Sequence, residues 1–176
     1  MTEITCEALN ENAFQMIGKD WLLLTAKKDG KVNTMTASWG GVGVMWGKQV
    51  AFLFIRPQRY TKEFVDAAAE MSISVLPEAY RKELNYFGTV SGRDEDKIAK
   101  SGLGIAEENG VPYFADARLA FICKKLYAQP LEADCFIDKS NIERWYPGND
   151  FHTVHEPGFH LLRTCCEDNS LKYRTP

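Results

Sequence analysis

The sequence lacks the marks of several protein classes. Its five cysteines, Cys6, Cys123, Cys135, Cys165 and Cys166, are odd in number and show no Cys-x-x-Cys spacing. That disfavours both a disulfide framework and a thioredoxin-like redox pair. The neighbours Cys165 and Cys166 would close only a strained ring, because their side chains point to opposite faces of a strand. There is no basic excess either: 21 Lys and Arg face 24 Asp and Glu, a net charge of -3. A phosphate-backbone binder carries the opposite balance, so nucleic acid is not an expected partner. The longest apolar tract, Val42 to Ile55, is broken by Lys48 and Gln49. It is shorter than the roughly 20 residues a membrane span needs, so no membrane partner is expected. The opening MTEITCEALNEN has no basic segment followed by an apolar one, so no secretion signal is read and a cytoplasmic location is expected.

Several chemical signatures are also missing. GGVGVMWG has glycines but neither the G-x-G-x-x-G spacing nor a following helix, so a dinucleotide fingerprint fails. No G-x-S-x-G elbow marks a nucleophile. His152, His155 and His160 with Glu156 suggest a metal at first sight, but Pro157 breaks any helix there and no second ligand cluster follows. No metal and no catalytic side chain are assigned.

What the sequence does contain is a succession of short strands. The 176 residues show no repeat or low-complexity linker and read as one domain, residues 1–176, able to remove roughly 68–70% of the unfolded surface from water. After a short helix within NENAFQMIG, WLLLTAKKDGKVNTMTASWGG predicts a hairpin turning at Lys28-Asp29-Gly30. GVMWGKQVAFLFI predicts a second hairpin turning near Gly47-Lys48. From Thr61 to about Glu70, Phe64, Val65 and Ala68 share one face of an amphipathic helix that the Thr61 hydroxyl would cap. Further on come a strand MSISVLP, short helices in AYRKELNYFGTV and DEDKIAKSG, and one long strand or two in ARLAFICKKLYAQPLE. The tail holds a helix SNIERWY and a last strand near GFHLLRTC. Hairpins with helices between them predict a mainly β protein, a small closed or split barrel with peripheral helices.

Three stretches invite chemistry. RPQRYT, Arg56 to Thr61, lies where a strand gives way to a helix, and the unpaired first N–H groups of a helix welcome an anion. Arg56 and Arg59 add forks that match phosphate oxygens, and Pro57 stiffens the approach. The other reading is of solvated arginines and a simple cap. NTMTASWGG, Asn33 to Gly41, alternates so that Thr34, Thr36 and Ser38 share a face opposite Asn33, Met35, Ala37 and Trp39. Small hydroxyls there suit the edge of a flat heteroaromatic ring, or else an ordinary solvated face. In GTVSGRDEDK, Ser91 and Gly92 form a tight turn, Asp94 is a candidate helix cap, and Lys97 points back from the helix that follows.

In this order, NTMTASWGG, RPQRYTKEF and GTVSGRDEDKIAKSGL resemble the flavin reductase-like family of FMN-binding split barrels, especially its flavoredoxin-type members. The resemblance implies a six-stranded, Greek-key-like split barrel, a homodimer, and FMN in a groove near the dimer interface. It implies that Met35, Thr36, Ala37 and Ser38 line the isoalloxazine edge through backbone groups and the Thr36 and Ser38 hydroxyls. Arg59, Tyr60 and Thr61 would hold the phosphate with help from Arg56, while Ser91, Gly92 and Lys97 close over the ribityl and phosphate region. FHTVHEPGFHLL keeps His152 but departs from the family's usual Gly-Glu step, so no C-terminal contact is carried over. Trp39, Trp46, Trp145 and Tyr146 either pack in the core or wall the ring. The expected activity is an FMN-dependent oxidoreductase or electron carrier, with NADH or NADPH as possible donor and a small molecule or protein as redox partner. Two alternatives stand beside it. One is a non-catalytic flavin sensor or store; the other is an oxidase of a phosphorylated pyridine vitamer, whose second basic cluster the tail does not show.

Overall fold

The computed structural model describes residues 1–164, so the Cys165–Cys166 pair lies outside the described residues. Ten strands and five α-helices are present among them: β1 Thr2–Ile4, α1 Ala13–Gln15, β2 Leu22–Lys28, β3 Lys31–Ala37, β4 Gly40–Met45, β5 Lys48–Ile55, α2 Tyr60–Ala67, β6 Glu70–Val75, α3 Arg81–Thr89, α4 Lys97–Ser101, β7 Ile105–Glu108, β8 Val111–Phe114, β9 Leu119–Pro130, α5 Ser140–Trp145 and β10 Thr153–Thr164. The main sheet runs β3-β2-β6-β9-β10-β5-β4, with β1 added to β10. This is the mainly β architecture with outer helices that the pattern predicts, though its sheet has more strands than the expected six.

Side-chain alternation explains how the sheet curls. Leu22, Leu24 and Ala26 of β2, Met71, Ile73 and Val75 of β6, and Leu119, Phe121 and Cys123 of β9 turn to one interior. They meet Met35 and Ala37 from one end of the sheet and Ala51, Leu53 and Ile55 from near the other, with Phe64 and Val65 of α2 closing the space. The alternate residues, Leu23, Ala120 and Ile122, face outward onto a second cluster built by Leu84 and Phe87 of α3 and Val111 and Phe114 of β8. Two edge strands, β3 and β4, are thereby drawn round the core without pairing to each other, which is the split in the barrel.

The hairpin between β2 and β3 turns at Asp29 and Gly30, with φ of 49° and 76°, as an Asp-Gly pair favours. The next turn falls one residue earlier than expected, on Trp46 and Gly47, again with both φ positive. The last strand starts at Thr153, well before GFHLLRTC, because Thr153–His155 already pair with both β5 and β9. Sequence patterning missed β1 and the β7–β8 hairpin. Among the described residues no helix is long and apolar enough to cross a membrane.

Candidate functional site

β5 ends at Ile55 and α2 begins at Tyr60, and the four residues between them build the site. The Arg59 N–H donates to the Arg56 carbonyl at 3.1 Å, closing a turn that brings α2's start beside β3. The expected cap is corrected here. Arg59, not Thr61, is the N-cap residue, and no side chain accepts from the first-turn N–H groups. Thr61 instead lies buried inside the first turn, where its Oγ1 accepts from Asn33 Nδ2 at 2.9 Å. Asp94 is likewise not the cap of α4; Asp96 accepts from the Ala99 N–H at 3.1 Å.

Two adjoining hollows share Met35, Arg56 and Arg59. The first, of about 310 Å³, is lined by Gln58, Tyr60, Thr61, Ser91, Gly92 and Lys97. The second, of about 170 Å³, is lined by Thr36, Ala37, Ser38, Trp39, Phe54, Trp145 and His152. Every residue assigned to the site from sequence borders one or both. One end is cationic and hydroxyl-rich; the other is largely aromatic.

At the cationic end, the C-terminal carbonyls of α3 hold two positive side chains. Arg59 Nη1 donates to the Gly88 carbonyl at 2.5 Å. Lys97 Nζ donates to the Phe87 and Val90 carbonyls, both at 2.9 Å, and is only 3% exposed. Burial, reinforced by the Arg59 charge, pushes the Lys97 ammonium down to about 8. Burial and then the Arg56 charge hold Arg59 below its ordinary value. Among the described residues no carboxylate pairs with either. Two cations without a carboxylate partner, two hydroxyls and the N-terminal turn of α2 give this end the donor chemistry that suits an anion.

The aromatic end rests on residues far apart in sequence. Arg56 Nη1 pairs with Asp150 at 2.6 Å, its Nη2 donates to the Trp145 carbonyl at 2.7 Å, and the guanidinium stacks 5.3 Å over the Tyr146 ring. Tyr146 packs against Phe136 and Phe151 and bonds His152 Nδ1 at 2.8 Å. Burial, with Arg56 adding to it, pushes the His152 imidazole down to about 4, so it is neutral at neutral pH. Trp39 lies 5.1 Å from Trp145 and 5.0 Å from His152, ring centre to ring centre.

The hydroxyl face of β3 is corrected. Thr34 is fully buried and bonds Thr25, and the Thr36 Oγ1 donates to the Leu84 carbonyl of α3 at 2.5 Å. Their hydrogens are committed inside the fold, so β3 offers the hollow its backbone and the Ser38 end of the strand. Sequence reasoning missed Asn33 and Gln58, and missed Asp150 as partner of Arg56, since 94 residues separate the pair. No metal-binding group of three or more His, Cys, Asp or Glu occurs among the described residues. His155 is buried with both ring nitrogens unpartnered, its Nε2 3.7 Å from Asp66.

The sequence model of the flavin reductase like domain matches residues 17–139, more than half of the chain, and the protein therefore belongs to that family. Solved structures agree at the level of fold. The flavoredoxin of Desulfovibrio vulgaris (Miyazaki F) superposes with a TM-score of 0.65 at 22% identity, over 85% of this chain and 70% of that one. A flavoredoxin from Methanosarcina acetivorans gives 0.63 at 20% identity, over 82% and 68%. An FMN-binding protein from Thermus thermophilus, solved with p-hydroxybenzaldehyde bound, gives 0.66 at 18% identity, over 100% and 87%. A search of curated proteins finds no match.

Proposed function

We propose that the protein is an FMN-binding oxidoreductase or electron-transfer protein. The observation that carries this is the joining of a carboxylate-free cationic pocket to an aromatic one across Met35, Arg56 and Arg59. A phosphomonoester on a flat heteroaromatic ring has that polarity. Arg59, Lys97, Thr61 and Ser91 would hold the phosphate beside the first turn of α2, with Tyr60 and Gly92 shaping the cradle. The Met35–Ser38 backbone would border the ring. Bound FMN supplies hydride and electron transfer, for which the chain needs no acid–base pair of its own. The protein's part is to orient the ring, to keep a neutral His152 at its aromatic end and to limit water behind Trp39 and Trp145.

A homodimer accompanies this reading. The β4–β5 hairpin leaves Val44 and Trp46 74% and 56% exposed, apolar surface that a second copy would cover. NADH or NADPH is the proposed donor, stacking over the ring, with a small molecule or protein as acceptor.

The test is a visible spectrum of the purified protein, followed by heat release and chromatography against FMN, FAD and riboflavin. Two flavin bands and released FMN are expected. A colourless protein that takes up no added FMN would end the reading. Anaerobic titration then separates the roles: rapid bleaching by NADH or NADPH marks a reductase, and full FMN occupancy without bleaching marks a sensor or store. Size-exclusion chromatography at micromolar concentration should give twice the 19.9 kDa chain mass; a strict monomer would remove the dimer.

A further inference from the structure

The turn that carries Ser91 and Gly92 is fastened to α2 through one side chain outside the pocket lining. The Arg93 guanidinium lies 4.7 Å over the Tyr60 ring, donates to the Gln58 carbonyl at 3.1 Å and pairs with Glu63 at 2.5 Å. It thus grips the helix before, at and after its first residue. The neighbouring residue shows how closely the turn sits. A Cβ on Gly92 would stand 2.3 Å from Asn33 Oδ1 and 3.2 Å from Tyr60 Cδ1. Asn33 also donates to Thr61, and Ser91 Oγ accepts from the Arg93 N–H at 3.1 Å, so strand β3, helix α2 and the turn form one bonded unit. Unlike Arg59 and Lys97, Arg93 has its charge matched by a carboxylate and does not border the hollow.

We propose that Arg93 is a positioning residue: through Glu63, Gln58 and Tyr60 it clasps the Ser91–Gly92 turn onto α2, and this sets the pocket's preference for a phosphorylated flavin. The inference rests on the phosphate reading above. The opposing possibility is that Arg93 leaves Glu63 and meets the phosphate itself. The two differ in sign at Glu63. Removing that carboxylate loosens a clasp but liberates a direct ligand.

The experiment titrates the apoprotein with FMN and, separately, with riboflavin, following flavin fluorescence, and measures hydrogen exchange of the Ser91–Arg93 amides without flavin. For Arg93→Ala and for Glu63→Ala, FMN affinity should fall about three- to tenfold, the scale of a half-exposed ion pair with its associated contacts. Riboflavin affinity should hold, and turn protection should drop in both variants. The double variant should be no weaker than Arg93→Ala alone, since that substitution already removes the Glu63 link. The charge-swapped pair Arg93→Glu with Glu63→Arg should recover much of the loss. Tighter FMN binding in Glu63→Ala, additive losses, equal loss for riboflavin, or unchanged turn protection would each overturn the clasp. If the wild-type protein takes up no FMN, the phosphate preference falls with the flavin reading, while the exchange arm still decides whether the clasp exists.

Discussion

Arg56 and Arg59 stand three residues apart in one short linker, yet the fold gives them opposite electrostatic lives. Arg56 is neutralised by Asp150, bonded to the Trp145 carbonyl and stacked on Tyr146. Arg59 meets a carbonyl, a second cation nearby and, among the described residues, no carboxylate. The first ties the segment around α5 to the barrel; the second keeps an unmet charge facing a hollow. A guanidinium is a ligand candidate when its fold leaves it short of partners, and a strap when it does not.

The largest effect that would sharpen this contrast is on flavin affinity. Arg59→Ala should cost FMN binding about 1.5–3 kcal/mol and leave riboflavin binding nearly unchanged, measured by parallel titrations. Arg56→Ala should alter both ligands little and alike. Equal effects of the two substitutions on FMN would erase the distinction.

Next in size is a pH effect at the cationic end. Lys97, pushed down to about 8 from the ordinary 10.5, is charged below that pH and loses its charge above it. FMN affinity should therefore fall as pH rises through about 8, by up to about tenfold per unit if the charge is needed. Lys97→Gln should flatten the slope, and riboflavin should show none. The sign for stability is opposite: burying the charged ammonium opposes folding, and that penalty eases between about 8 and 10.5.

A smaller effect concerns acid. His152 and His155 both sit near 4 against an ordinary 6.5, chiefly through burial. Their contribution to stability is present above 6.5 and is lost as pH falls through about 4, because only the unfolded chain takes the protons readily. His155→Leu should flatten this branch in thermal melts. Arg56→Ala, by deleting a positive neighbour, should raise the His152 midpoint in an NMR titration. The smallest change is expected from Asp150→Asn: a freed Arg56 should improve FMN affinity only by about two- to threefold, on the scale of partly exposed ion pairs.

Much of this was legible in the sequence where the signal was local. The Asp29-Gly30 turn, the amphipathic α2 and the gathering of Arg59, Tyr60, Thr61, Ser91, Gly92 and Lys97 all follow from residues close to one another or from ordered motifs. The errors came where a side chain had two possible partners. Thr61 can cap a helix or accept from Asn33, and only the docking of α2 on β3 decides; Thr36 faces α3 for the same kind of reason. Arg56 and Asp150 carry no shared local pattern. The β7–β8 hairpin did leave a trace, an Asn109-Gly110 pair with both φ positive, but Pro112 weakens the strand signal that follows.

The edge-on meeting of Trp39 and Trp145 has an optical consequence. Of the four tryptophans in the chain, these two border the aromatic hollow and are 37% and 39% exposed, whereas Trp21 stacks under Arg81 and Trp46 sits at a hairpin turn. Their ultraviolet emission is thus an internal gauge of what enters that end. With Trp46→Phe to remove the most exposed bystander, a colourless molecule settling in the hollow can be followed by light alone.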